Sequence, residues 1–185
     1  MGLQLQSMAI EMPPVSRHPN RIPFAGVLTL IDTPSDKAPS GARGHRVLLT
    51  KAATDRALPS LLGMALDYAP SLDRHDARRK VGIITSAEVL PGSAVRPTQP
   101  TKGCMGHPSS LLQVSGYLFA KDFPEIVREI RSRGRSALGM SYEIADAHVD
   151  DPSANIWTVS EFTFTGAAIL RREKAAYRET WIEIT

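Results

Sequence analysis

Apolar positions alternate with polar ones in two segments of this chain, form short runs of strand character in several others, and follow a helical period in only a few stretches. Phe24–Ile31, rich in β-branched and aliphatic residues, reads as a first strand, and the short apolar Arg46–Leu49 as a second. Val81–Val89, Leu111–Phe119 and the C-terminal Trp181–Ile184 carry the same signature. Leu138–Ile144 alternates most cleanly. Leu138, Met140, Tyr142 and Ile144 fall on one face, and Gly139, Ser141 and Glu143 on the other. In Trp157–Phe164 the two phenylalanines share a face. Glu161 points oppositely, with Trp157, Val159 and Thr163.

Helical signals are fewer. Thr50 offers an N-cap for Lys51–Leu58, and Pro59 can open a following helical turn over Ser60–Leu66. The clearest helix has Asp122 as its cap and Glu125 three residues on. Phe123, Ile126, Val127 and Ile130 form one apolar face, and Gly134 is placed to end it. Residues 1–20, with three prolines, read as a mobile N-terminal arm. Residues 21–185 read as one domain, interrupted by a long Pro- and Gly-containing loop at Pro91–Ser110. The expected fold is mainly β with peripheral helices: antiparallel strands in a small barrel or a highly curved sheet.

Composition narrows the picture only a little. The 185 residues suffice for one domain with a sizeable core, and 42% hydrophobic with 22% charged residues is ordinary for a globular protein. A net charge of +3 is too small to mark a nucleic-acid binder. The single Cys104 excludes an internal disulfide framework and suits a reducing compartment. The N-terminus shows no signal peptide, and no stretch has the roughly 20 apolar residues of a membrane span. Cys104 and His107 make half of a zinc motif, but His45, His75 and His148 are scattered, so neither metal nor cofactor is expected. Arg128, Arg131, Arg133 and Arg135 read as a solvated basic face.

The candidate chemistry lies in three segments: Arg74-His-Asp76, Leu138-Gly-Met-Ser-Tyr-Glu143, and Val159-Ser-Glu-Phe-Thr-Phe164. A serine needs an imidazole to take its proton and a third group to orient that imidazole. Ser141, on the strand face opposite the apolar one, is the candidate nucleophile, His75 the base and Glu161 the orienting acid. Glu143, two residues beyond Ser141 on the same face, competes for the third role. Each also has a plain reading, as a sheet serine, a loop histidine and a surface carboxylate. A metal-dependent hydrolase around His75 and Asp76 is a further possibility.

The chain resembles the prohead, or capsid maturation, serine proteases of tailed phages, which share a fold with the herpesvirus assemblins. The resemblance runs from about Arg21 to Thr180. It is carried by Phe24-Ala-Gly-Val-Leu28, Asp73-Arg-His-Asp76 before Lys80-Val-Gly82, Leu112-Gln-Val-Ser-Gly-Tyr-Leu118, Leu138-Gly-Met-Ser-Tyr-Glu143 and Glu161-Phe-Thr-Phe-Thr-Gly-Ala-Ala-Ile-Leu170. It implies an antiparallel barrel ringed by helices with the catalytic residues on its outer face. It also implies a Ser141–His75–Glu161 triad and acyl-enzyme cleavage of scaffold protein or a scaffolding segment of the capsid protein. The compartment implied is the immature phage head in the host cytoplasm, and the assembly a homodimer or assembly-dependent oligomer. Arg171 and Arg172 match the loop that serves the oxyanion in the related viral enzymes. The alternative is a catalytically silent structural or scaffolding protein that keeps the fold.

Overall fold

The computed structural model describes residues 18–92 and 110–185. Eight strands form one curled sheet: β1 (Arg21–Ile31), β2 (Arg46–Leu49), β3 (Ala65–Asp67), β4 (Lys80–Pro91), β5 (Ser110–Phe119), β6 (Leu138–Val149), β7 (Ile156–Arg171) and β8 (Trp181–Ile184). The helices are α1 (Lys51–Ala57), continued by a 3-10 turn over Leu58–Leu61, and α2 (Pro124–Ala137). The protein is therefore mainly β, as the alternating pattern predicts.

Antiparallel ladders join β4 to β5, β5 to β1, and β1 to β8. The other half is organised by β7, whose 16 residues pair with β6 along one edge. Along the opposite edge β7 takes β2 against its first half and β3 against its second, both parallel. The expectation of an all-antiparallel barrel is corrected on this point. The β2–α1–β3 segment crosses back to its starting edge, so both strands run in the direction of β7. The sheet curls until β6 lies against β1 and β8 through side chains. A Cβ at Gly26 of β1 would meet the Met140 sulfur at 2.5 Å, and the Met140 amide donates to Thr180 Oγ1 at 3.2 Å. A side chain at Gly26 would hold β1 and β6 apart, which is why glycine stands there.

The concave face is filled by Phe24, Leu28, Leu49, Leu66, Ile84, Leu112, Leu118, Phe164 and Ile169, with Ala53 and Ala57 of α1 and Ile126, Val127 and Ile130 of α2 in the same core. Thr50 caps α1 by accepting the Ala53 amide at 3.2 Å. Arg135 of α2 pairs with Glu183 and lies over the Trp181 ring, and Arg133 pairs with Glu129. The basic face is thus partly neutralised by its own neighbours.

Four local expectations are revised. Ser60–Leu66 is not a helix, because Leu66 and Asp67 pair with Gly82 and Lys80 as β3. Asp122 does not cap α2; its carboxylate accepts from Asn20 Nδ2 at 2.6 Å, and Asn20 Oδ1 accepts the Lys121 amide at 2.6 Å. The proposed arm is therefore anchored by Asn20, and the rest of it, residues 1–17, lies outside the described residues. Val159 is buried with Phe162, not opposite it, because the β6–β7 ladder shifts register between His148 and Val149. Pro91 and Ser110 are paired strand residues, and the expected loop between them lies almost wholly outside the described residues.

Candidate functional site

Strand alternation builds the site. Met140, Ala167, Ile169 and Leu66 point into the core, so Ser141, Glu143, Gly166, Ala168 and Asp67 fall on the opposite, outer face. Ser141 sits opposite Ala168, Ala168 opposite Asp67, and Asp67 opposite Lys80. One row therefore crosses β6, β7, β3 and β4. β7 contributes only small groups, Ala168 and Gly166, next to Ser141 and Glu143. A Cβ at Gly166 would lie 2.9 Å from Glu143 Oε2, so a larger residue there would displace that carboxylate.

The β3–β4 connection, residues 68–79, carries His75 onto this face. Buried Leu72, at φ +53°, anchors the loop, and its carbonyl accepts the Arg171 amide at 2.7 Å. The Asp76 amide donates to Asp67 Oδ1 at 3.1 Å, fixing the residue next to His75. His75 Nδ1 is shielded from solvent, 3.2 Å from Glu143 Oε1 and 3.8 Å from Asp67 Oδ1, and aligned with neither for a hydrogen bond. Nδ1 thus faces two carboxylates without a hydrogen bond to either, and Nε2 is the ring nitrogen on the other side.

Asp67 is fully buried. Burial opposes its ionisation, but His75, the Asp76 amide and the Lys80 ammonium (Nζ to Oδ2, 3.1 Å) outweigh that penalty. Its carboxyl is held below the ordinary value of 3.8. The sequence reading missed Asp67. The available signal was a lone charge in the apolar run Met64-Ala-Leu-Asp-Tyr-Ala69, since an unpaired buried carboxylate is costly.

His75 and the Ser141 strand therefore come together, but Glu161 does not join them. It is exposed, opposite His148, and five residues before Gly166, the partner of Glu143, about 16–17 Å along β7 at strand rise. The carboxylates at the imidazole are Glu143 and Asp67, and the assignment of Glu161 as its orienter is corrected on that distance. Arg171 ends β7 opposite Leu138, and Arg172 donates to the Arg178 carbonyl. The Arg171 side chain lines a cleft of about 200 Å³ with Tyr68, Leu72, Glu125, Glu129 and Arg133. Cys104 and His107 lie outside the described residues, while His45 stacks on Trp157 at 4.5 Å.

Compared with known proteins, the chain matches no family model, no curated protein and no solved structure. Among the described residues, no helix is long and apolar enough to cross a membrane.

Proposed function

We propose that this protein is a serine endopeptidase of the phage head-maturation type. Ser141 is its nucleophile, His75 its base, and Glu143, in place of Glu161, the carboxylate that orients the imidazole. The observation that carries the reading is the contact between His75 Nδ1 and Glu143 Oε1, because Glu143 shares the outer face of β6 with Ser141. Residues two apart on a strand have Cα atoms about 6.6–6.8 Å apart. A ring that meets Glu143 through one nitrogen is in the right neighbourhood to serve Ser141 through the other. The curled, mainly β sheet with flanking helices supports the same family reading.

In the reaction, a small rotation of the His75 ring brings Nδ1–H into line with Glu143 Oε1, which holds the proton there and leaves the Nε2 lone pair free. Ser141 Oγ attacks the peptide carbonyl as its proton passes to Nε2. The imidazolium, stabilised by Glu143 and Asp67, returns that proton to the leaving amine, and water then releases the acyl group from Ser141 by the same relay. The substrate is a scaffold protein or a scaffolding segment of the capsid protein, acted on inside the immature shell, and the enzyme works as a homodimer or assembly-dependent oligomer. The rival reading is a silent structural protein on the same fold. Incubating the chain with its capsid or scaffold partner separates them. Cleavage or self-trimming that Ser141→Ala abolishes supports the protease, and cleavage retained by Ser141→Ala overturns it.

A further inference from the structure

We propose that Asp67, His75 and Glu143 together bind one divalent ion of the zinc class, and that the bound ion silences the hydrolytic site. The silencing, though not the binding, rests on the protease reading above. One ligand atom from each residue lies within 4.8 Å of the others. Zinc bonds to nitrogen and oxygen are about 2.0–2.2 Å long, which puts the edges of a tetrahedral ligand set at roughly 3.3–3.6 Å. The separations of Nδ1 from Glu143 Oε1 and from Asp67 Oδ1, 3.2 and 3.8 Å, need only a few tenths of an ångström of adjustment.

The chemistry and charge fit the same ion. One imidazole with two carboxylates suits zinc-class metals better than magnesium or calcium, which favour all-oxygen shells. Three protein ligands leave a fourth position for water. Lys80 occupies Asp67 Oδ2, which leaves Oδ1 to face the ion. With two carboxylates and one ammonium, the cluster carries one net negative charge, complementary to a dication. Asp67 is already held by the Asp76 amide and Lys80, the kind of outer contact that orients a metal ligand. Nδ1 is a shielded polar atom without an aligned hydrogen bond, and a metal bond would satisfy it. Entry is open, because the Glu143 side chain is 42% exposed.

Metal on Nδ1 changes what the ring can do. A neutral imidazole ligated through Nδ1 carries its proton on Nε2, which becomes a donor and can no longer accept the Ser141 proton. Glu143 is drawn to the ion at the same time. Both effects stop acylation, and removing the ion restores the Nδ1–H tautomer.

The binding test uses the full chain carrying Ser141→Ala, which prevents self-cleavage, titrated with Zn²⁺ against a chromophoric chelator. One ion per chain is expected at micromolar zinc. It should be lost on adding His75→Ala and weakened at least tenfold by the isosteric Glu143→Gln. Nitrogen-15 spectra of the imidazoles in the Ser141→Ala protein give a readout independent of those variants, with His75 expected to move to the Nε2–H tautomer as zinc is added. In the wild type, zinc should inhibit cleavage over the same concentration range, with chelator restoring it. Absence of stoichiometric binding, binding unchanged by His75→Ala, or a His75 ring unmoved by zinc would each overturn the site. A bound ion in a chain that shows no Ser141-dependent cleavage would keep the site, overturn its silencing role, and remove the protease reading separately.

Discussion

Gly166 leaves the space that the Glu143 carboxylate occupies. The two residues face each other across the β6–β7 ladder, and a Cβ at 166 would come within 2.9 Å of Glu143 Oε2. Gly166→Ala should therefore push the carboxylate away from His75. The displaced atom is the tip of a flexible side chain, so the stability cost should stay within about 1 kcal/mol. Cleavage should fall at least tenfold with little change in melting temperature. Full activity in the alanine variant would mean that Glu143 does not orient the base.

Glu143→Gln and Glu161→Gln belong in one cleavage assay. Loss of the orienting charge disturbs the histidine tautomer and the imidazolium, so Glu143→Gln should lower kcat by roughly 10²–10⁴ with KM little changed. Glu161→Gln should stay close to wild type, because that side chain is exposed at the far end of β7. The reverse order would restore Glu161 as the orienter.

Asp67 gives a pH signature in stability. Its carboxyl ionises more easily in the folded chain than its ordinary value of 3.8. A group with a depressed folded pKa contributes stability that is fully present above the unfolded value and lost as pH falls through the folded one. Denaturant midpoints of the wild type should thus drop on acidification below about pH 4. Asp67→Asn should flatten this acid limb while lowering stability at neutral pH, where Lys80 and the Asp76 amide lose their charged partner. Identical acid limbs in the two proteins would contradict the assignment.

Pro91 and Ser110 are Cα partners at the ends of β4 and β5. Replacing residues 93–109 with a short Gly-containing turn should then leave the fold standing. The test is a cooperative thermal transition within a few degrees of wild type. Collapse of that transition would show that the segment contributes to the core.

Tyr177 ties the β7–β8 connection to the opposite part of the sheet. Its hydroxyl donates toward the Thr33 and Val47 carbonyls, each at 3.1 Å, and the ring is buried. Tyr177→Phe should cost roughly 0.5–1.5 kcal/mol, because it removes the hydroxyl donor to the Thr33 carbonyl while the Val47 carbonyl keeps the Ser35 amide. Urea denaturation measures this directly.

What the sequence made legible follows the range of the forces involved. The Thr50 cap and the alternation of β6 are local, and both are found where the pattern places them. The three-residue β3 is a product of pairing with β4 across a loop and with the distant β7, so Leu66 by itself reads equally well as helix. Asp67 escaped for the same reason, since its partners come from the loop and from β4. The outer-face position of Ser141 was readable from the alternation of β6. Glu161 was favoured because an orienter on another strand reaches the far ring nitrogen more easily than a neighbour of the serine. In the fold the loop after β3 instead places His75 Nδ1 3.2 Å from Glu143 Oε1.

The parallel seating of β2 and β3 on β7 also sets a timetable. β2 has its hydrogen-bonding edge in residues 156–171, as does β6, which carries Ser141, while β3 bridges that stretch and β4. During synthesis, at about 5–20 residues per second, β2 and β6 cannot pair until β7 has left the ribosome, although β3 can already pair with β4. Pairings this distant in sequence are also slow to close once the chain is free. His75, Ser141 and Glu143 are therefore all translated before the strand that brings them together. A nascent chain already carries His75, Ser141 and Glu143 and yet cannot hold them on one sheet face until β7 is made.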